Sequence, residues 1–426
     1  MTDTTKALLR IADPALALYF RPGRNDHTTL LRAFSRGAPP FQGTVLDASH
    51  ERRQRELRLE LENRGYESIL DPMALELATA GGWEREGLRS LEWAGEGIHE
   101  PSRFRGSGVA ELVDPIAKFA AENRYNAVLA PTHFVAGVED AWWGIDRRAT
   151  RRLRHQLDMA GRSDVPIYYR LAISRNTLVD QTQRIAMLHA LADLEIDGIW
   201  LCLHPVSARS GPQVLRSCLE ISHDFSSIGV PVVAEKTGFL GLALMGFNAV
   251  GGAESSVTLG QGFDVNRLVN PPKPRDDAQP FGPQPRVYLD SLGLTLTRAE
   301  ATSFFKARGT KGRFGCQDRP CCRSWQDMLE DPGRHFVYTR AGEVAAISNV
   351  PAHDRPTATL EWIRRASDEA VHAAKADPKK FEKEKRRLDG WRMALTDAAR
   401  QREFAENVRT PTGRRAENGA NAPYLH

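Results

Sequence analysis

The chain has 426 residues, a formal net charge of +4, 41% hydrophobic and 26% charged residues. That length holds one large domain with a smaller companion, or two to three average ones, and the composition is that of an ordinary globular protein, which excludes fibrous and low-complexity classes. No apolar run approaches the roughly 20 residues that cross a bilayer, and Met1 to Lys6 lack the charged-then-apolar pattern of a signal peptide, so a cytoplasmic protein without membrane association is expected.

The small positive excess permits a nucleic-acid partner without demanding one, because such binding rests on a concentrated patch. Five cysteines, three of them clustered, fit a reducing compartment better than a disulfide framework.

In chain order, the apolar run 15–20 stops at Arg21-Pro22-Gly23-Arg24 and reads as a buried strand with a polar exit. The charged stretch Glu51 to Arg64, with Leu57, Leu59 and Leu61, reads as a helix, and Ile69-Leu70-Asp71-Pro72 as a strand ending on an acid. Further apolar runs lie at 126–130, 166–173, 198–204, 230–236, 247–250 and 286–290, with helices such as 178–194 and 213–222 between them. Apolar strands alternating with helices imply a parallel sheet covered on both faces. About eight such units match an α/β fold of the (β/α)8 barrel type, with a doubly wound open sheet as the rival.

The expected division is a barrel over 1–310, a metal-binding segment over 311–356, helices over 357–408 and a disordered tail over 409–426. The Pro-rich stretch from Asn270 to Pro285 reads as a long loop, and the charged run Lys379 to Arg387 as a solvated helix face.

In a barrel, chemistry sits where the strands end. Those ends offer Arg21, Asp71, His133, Arg170, His204, Glu235, Lys236, Glu254 and Asp290, some of which need do no more than solvate the mouth. Glycines Gly238, Gly241 and Gly246 follow Lys236; missing side chains there would let backbone approach a planar base or, with Lys236, a phosphate. Arg21, Arg24 and Arg170 could meet a sugar-phosphate backbone.

Cys316, Cys321 and Cys322 lie in one short polar segment, a setting that suits thiolate ligands of Zn²⁺ better than three buried free thiols. A fourth donor is needed, and His335 and His353 compete for that place. A bond between the adjacent Cys321 and Cys322 would strain disulfide geometry.

A barrel followed by clustered cysteines, the tetrapeptide Arg340-Ala341-Gly342-Glu343 and a later histidine resembles the tRNA-guanine transglycosylases and their DNA-modifying relatives. The spacing departs from that family's Cys-x-Cys-x2-Cys. The resemblance implies a structural zinc and the exchange of a guanine-type base in tRNA or DNA for a 7-deazaguanine, through an aspartate that attacks the sugar and a second that moves protons. It places Asp71 at the acid/base position and His353 at the zinc position. No aspartate follows Val250, so Glu254 or Asp290 would have to serve as nucleophile, with Arg170, His204, Glu235, Lys236 and Gly238 recognising substrate. Without a nucleophile the chain would be a nucleic-acid-binding member of a modification system; a barrel enzyme acting on a phosphorylated metabolite is a third expectation. Pairing with itself or with a partner subunit stays open.

Overall fold

A computed structural model describes residues 15–37, 41–85, 87–257, 262–270, 286–401, 408–413 and 415. Eight short strands form the centre: β1 (Ala17–Arg21), β2 (Gly43–Asp47), β3 (Glu67–Asp71), β4 (Ala127–Leu129), β5 (Ile167–Ser174), β6 (Gly198–His204), β7 (Val232–Glu235) and β8 (Gly252–Ser256). Each pairs in parallel with its neighbours, β4 with β5 as well as β3, and β8 closes on β1. The result is a (β/α)8 barrel.

The connections supply α1 (His27–Ser35), α2 (Glu51–Arg64), α3 (Gly108–Glu122), α4 (Ala141–Met159), α5 (Gln181–Ala192), α6 (Pro212–Ser226) and α7 (Phe239–Gly246). Local chemistry sets their ends. Gly65 closes α2 in the left-handed conformation at φ 73°, and the Asp140 and Asp180 carboxylates accept from the first backbone N–H groups of α4 and α5.

Eight strands agree with the number read from the sequence, but two identities differ. The run Gly43 to Asp47 is a strand that the sequence reading passed over, because only Val45 and Leu46 in it are strongly apolar. Residues 247–250 are the exit of α7, and the eighth strand begins at Gly252. Residues 286–290 lie outside the barrel: β9 (Arg286–Leu289) forms an antiparallel hairpin with β10 (Leu294–Thr297). The stretch expected as helix from 178 to 194 is broken at Asp180, which caps α5. The expected loop falls at 271–285, outside the described residues apart from Asn270.

The eighth helix of the barrel comes late. Helix α8 (Pro332–Ser348) packs beside α1, α7 and β1, so the cysteine segment is an insertion between the last strand and its helix rather than an appendage after a finished barrel. Helices α9 (Arg355–Ala373) and α10 (Pro378–Gln401) pack on each other and against α7 and α6. Trp362 of α9 and Trp391 of α10 both pack against Phe239 at the start of α7. A Cβ on Gly246 would run into Thr359 of α9, so that glycine serves helix packing rather than a ligand.

Side-chain alternation layers the barrel interior. Ala17, Tyr19, Val45, Ile69, Ala127, Leu129, Tyr168, Trp200 and Val233 fill the lower part. Two residues further along β1, β2, β3, β5 and β7 the same faces carry Arg21, Asp47, Asp71, Arg170 and Glu235. Above these, Leu75, Ala172, Cys202, Phe263, Val265 and Leu268 form a separate apolar cluster, with Phe134 against it. Part of that cluster comes from residues 262–270, tied down by pairing of Gly262–Phe263 with Val206–Ser207. None of the described helices is long and apolar enough to cross a membrane.

Candidate active site and metal centre

Two arginines organise the charged layer. Nη1 of Arg21 donates to Asp47 at 2.7 Å and to Asp71 at 2.6 Å, while Nε donates to Glu254 at 2.8 Å. Arg170 grips Glu235 with Nε and Nη2 at 2.8 and 2.6 Å, reaches Asp71 at 3.3 Å and lies 3.7 Å from Glu76. The Trp200 indole N–H donates to Glu254 at 3.0 Å, and the backbone N–H of Met73 donates to Asp71 at 2.8 Å. Lys236 adds its ammonium 3.3 Å from Glu235. Asp71 is 2% exposed and Glu254 0%, so both lie within the barrel rather than on an open rim.

Asp71 and Glu254 therefore meet on one guanidinium, which is the convergence that carboxylate chemistry requires. Asp290 does not join them. It follows the extra-barrel strand β9 and lies near Tyr288 and Glu343, so its expected place among the strand ends is corrected. Asp47 and Glu76 are the members that the sequence reading missed; Asp47 ended an unrecognised strand, and Glu76 sits in a short helical turn after β3 with no motif to mark it.

Their electrostatics diverge. Burial alone would raise the pKa of Asp71, but the Arg21 and Arg170 guanidinium groups outweigh it and hold the carboxyl below its usual range. Glu235 is likewise held well down: burial is overcome by Arg170, then Lys236 and Arg21. Glu254 goes the other way, pushed up by burial with Arg21 pulling only partly against it and Glu235 adding to the rise. Five carboxyl groups, Asp47, Asp71, Glu76, Glu235 and Glu254, share three cations, and the surplus favours keeping at least one proton in the cluster.

His204 faces the cap instead: its Nδ1 accepts from the Val265 N–H at 3.2 Å and lies 3.5 Å from Asp264. His133 is bound by Asp146 at 2.6 Å under a stacked Trp142, away from the two arginines' partners. Lys236 adopts φ 53° and Gly238 φ 60°, so the chain turns sharply before α7. Gly241 lies inside α7, where a Cβ would run into Thr237.

The second cluster is the expected metal site. The ligand atoms of Cys316, Cys321, Cys322 and His335 all lie within 4.8 Å of one another. Sulfur to sulfur across Cys321 and Cys322 is 3.6 Å, and His335 Nδ1 lies 3.4 and 3.6 Å from these two sulfurs. A tetrahedral ion with metal–sulfur bonds of about 2.3 Å and metal–nitrogen bonds of about 2.05 Å would have edges of roughly 3.8 and 3.6 Å, so the donors fit one. His335 Nε2 donates to the Tyr288 carbonyl at 3.0 Å, which fixes the ring with Nδ1 turned toward the sulfurs. Hydrogen bonding with Cys321 and Cys322 pushes the Cys316 thiol far down, while burial of His335 is outweighed by Cys316 and Cys322, which hold it up at about 10. Protons shared in this way are those a bound cation displaces.

His335 closes the set and His353 does not: His353 is 67% exposed beside Asp354, just before α9. The expectation drawn from the resemblance is corrected in favour of the nearer histidine. The tetrapeptide at 340–343 has a packing role. Arg340 lies over the rings of Tyr288 and Phe336, and Glu343 accepts from the Tyr288 hydroxyl at 2.8 Å, which joins α8 to the hairpin.

No protein-family model matches this sequence, and no curated protein matches it.

Proposed function

We propose that this protein is a barrel enzyme that exchanges a guanine-type base in nucleic acid, tRNA or DNA, for a 7-deazaguanine, with Asp71 and Glu254 as the working pair. The observation that carries the reading is the meeting of these two carboxyl groups, from β3 and β8, on different nitrogens of the Arg21 guanidinium. Loss of a base from a sugar develops positive charge at the anomeric carbon, and a cluster with more carboxyl groups than cations suits that charge.

The opposed electrostatics divide the labour. Ionised Asp71 is the group fit to attack the anomeric carbon, and proton-holding Glu254 the one fit to protonate the departing base. This reverses the roles that the resemblance implies. The base leaves its stack to enter the barrel, and the face it has to pass is the apolar cluster that includes Phe263, Val265 and Leu268. The Cys316, Cys321, Cys322 and His335 site suits zinc, which in a closed four-ligand set supplies structure and takes no part in the reaction.

The test is incorporation of labelled 7-deazaguanine into guanine-containing tRNA and duplex DNA. Wild-type protein incorporates label, and Asp71→Asn and Glu254→Gln each lose about a hundredfold or more of the rate. Undiminished rates in both variants exclude the pair. One observation favours a second reading, a binding protein without exchange: Asp71 and Glu254 are sealed under the apolar cap. Tight nucleic-acid binding by a wild type that never incorporates label selects that reading.

A further inference from the structure

Two buried histidines near the barrel mouth take no part in the charged layer. His133 follows β4, and His99 lies in the long connection between β3 and α3. His133 is 1% exposed and His99 2%, and their ring centres lie 6.0 Å apart. We infer that this pair is a binding site for a monovalent soft cation, copper(I), held by Nε2 of His133 and Nδ1 of His99. The inference stands apart from both the base-exchange reading and the cysteine site.

The hydrogen bonds fix which nitrogen of each ring carries a proton. Nδ1 of His133 lies 2.6 Å from one carboxylate oxygen of Asp146, whose other oxygen accepts from the His133 backbone N–H at 2.8 Å, so Nδ1 is the donor. Nε2 of His99 lies 3.1 Å from the carbonyls of both Trp93 and Ala94, which can only accept. The other two nitrogens, Nε2 of His133 and Nδ1 of His99, are therefore lone pairs. Both are buried without a hydrogen-bond partner among the described residues. An imidazole that donates through one nitrogen to a carboxylate or carbonyl, and keeps the other as an unshared lone pair, has the form in which histidines bind metals.

Distance and charge select the ion. A direct N–H···N bond of about 2.9 Å holds two imidazole centres no more than roughly 5.2 Å apart. An ion with two nitrogen bonds of about 2.0 Å holds them roughly 6.3 Å apart when the bonds are in line, and slightly closer when they bend. The observed 6.0 Å suits the ion. No third histidine, cysteine or carboxylate joins the pair in a metal-binding group among the described residues, and two nitrogens suit copper(I) better than zinc, which takes four ligands. Asp146 is 0% exposed, and among the described residues no lysine or arginine lies within ion-pair distance of it. Burial pushes its carboxyl above the usual range, with His133 pulling only partly back, and one positive charge on the far nitrogen of His133 compensates it. Trp142 stacks on His133 at 3.6 Å and Phe104 meets His99 edge-on at 4.8 Å, so aromatic rings rather than water surround the pair. The neighbouring cation, Arg103, donates to the Ala94 carbonyl at 2.9 Å and lies over the Phe104 ring.

The site would also tie down the segment that bears His99. The His99 backbone N–H donates to the Leu77 carbonyl at 3.0 Å, and the Trp93 indole N–H to the Pro72 carbonyl at 2.8 Å, so this segment is fastened to residues just beyond Asp71. An ion shared with His133 joins it to the exit of β4 as well.

The experiment loads full-length, zinc-saturated protein with copper(I), without oxygen and against a copper(I) chelator, and counts copper per chain in wild type, His99→Gln and His133→Gln. Copper taken up by the cysteine cluster is common to all three and cancels in the difference. Thermal unfolding before loading checks that each variant is folded. His99→Gln keeps a side-chain N–H for the two carbonyls, so it carries the test should His133→Gln unfold. Wild type is expected to hold one copper(I) more than either variant, with X-ray absorption of the difference showing nitrogen neighbours and no sulfur. Amide exchange over residues 93–104 should slow on loading in wild type and not in His99→Gln. Asp146→Asn is expected to weaken this copper by about 10- to 100-fold, the scale of losing a partner that orients a ligand. Equal copper in wild type and folded His99→Gln overturns the inference and leaves an ordered water as the occupant of the pair. Sulfur neighbours in the difference spectrum overturn it too.

Discussion

Arg21 accounts for most of what the barrel interior can do, because its guanidinium is shared among Asp47, Asp71 and Glu254 while 6% exposed. Removing the cation leaves three buried acids with too little compensation. Arg21→Met is therefore expected to cost about 3–5 kcal/mol, the scale of breaking a buried ion pair from one side, measured by denaturant unfolding. A loss below about 1 kcal/mol would show that the acids were already neutral.

Glu67, at the opposite end of the barrel, gives a second residue-scale expectation. Burial pushes its carboxyl up to about 7, against hydrogen bonds from Gln42, Tyr19 and Tyr168. The folded chain thus keeps a proton that the unfolded chain loses near pH 4.5. The proton's stabilising effect is complete below about 4.5, falls as pH rises toward 7, and amounts to about 3 kcal/mol across that window. Glu343, raised to about 7 by burial, contributes in the same direction. Glu67→Gln should flatten the decline in part, and Glu67→Gln/Glu343→Gln further; an unchanged pH profile in the double variant would contradict this account.

At the scale of elements, the cysteine segment decides how the barrel is completed. Helix α8 fills the eighth helical position, and the same helix presents His335 to Cys316, Cys321 and Cys322. Chelation should therefore raise amide hydrogen exchange in β9, the cysteine loop and the first turns of α8, while β2, β3 and β5 keep their protection. Exchange that stays flat in those three segments after complete metal removal would mean that the cluster holds no ion of consequence.

This scale also shows what could be read in advance. Strands β5, β6 and β7 are apolar runs bounded by turns, and α2 carries its charges and its closing glycine in plain order, so local pattern sufficed. Strand β2 was hidden because Gly43 and Thr44 dilute a two-residue apolar core, and β9 misled because a hairpin strand buried on one side by α8 has the same composition as a barrel strand. Nothing local distinguishes His335 from His353. The difference is that one opens a helix packed over Tyr288 while the other stands in solvent.

In the molecule as a whole, the barrel is closed at both ends by different means. At the C-terminal mouth lies the cap built from Phe263, Val265 and Leu268. At the other end a segment from the end of the chain crosses the barrel floor. Val408 is buried, Arg409 donates to the Gly229 carbonyl, Arg415 pairs with Glu195 at 2.9 Å, and Gly413 sits at φ 66° against Glu67. Residues 409–413 and 415 of the stretch 409–426, expected to be disordered, thus lie against the barrel; the rest of that stretch falls outside the described residues. Gly413→Ala, strained in backbone and blocked by Glu67, should lower Tm by a few degrees and let protease cut near residue 408, a change that gel analysis after mild digestion would reveal.

The candidate site was legible in part as strand ends: Arg21, Asp71 and Glu235 close β1, β3 and β7, whereas Arg170 lies within β5 and Glu254 within β8. Which of them touch was not legible, because contact across a barrel depends on register and closure: Arg21 meets Glu254 from 233 positions away only because β8 pairs with β1.

The most direct test of the central claim, that Asp71 and Glu254 act together on a nucleotide's anomeric carbon, is to trap the reaction midway and map it. Wild-type protein is incubated with guanine-containing nucleic acid without any replacement base, denatured, digested and analysed by mass spectrometry. The account predicts a denaturation-resistant adduct on the peptide containing Asp71, absent from Asp71→Asn. An adduct on any residue outside the Arg21 cluster, or base exchange that proceeds with no adduct at any time point, would contradict it.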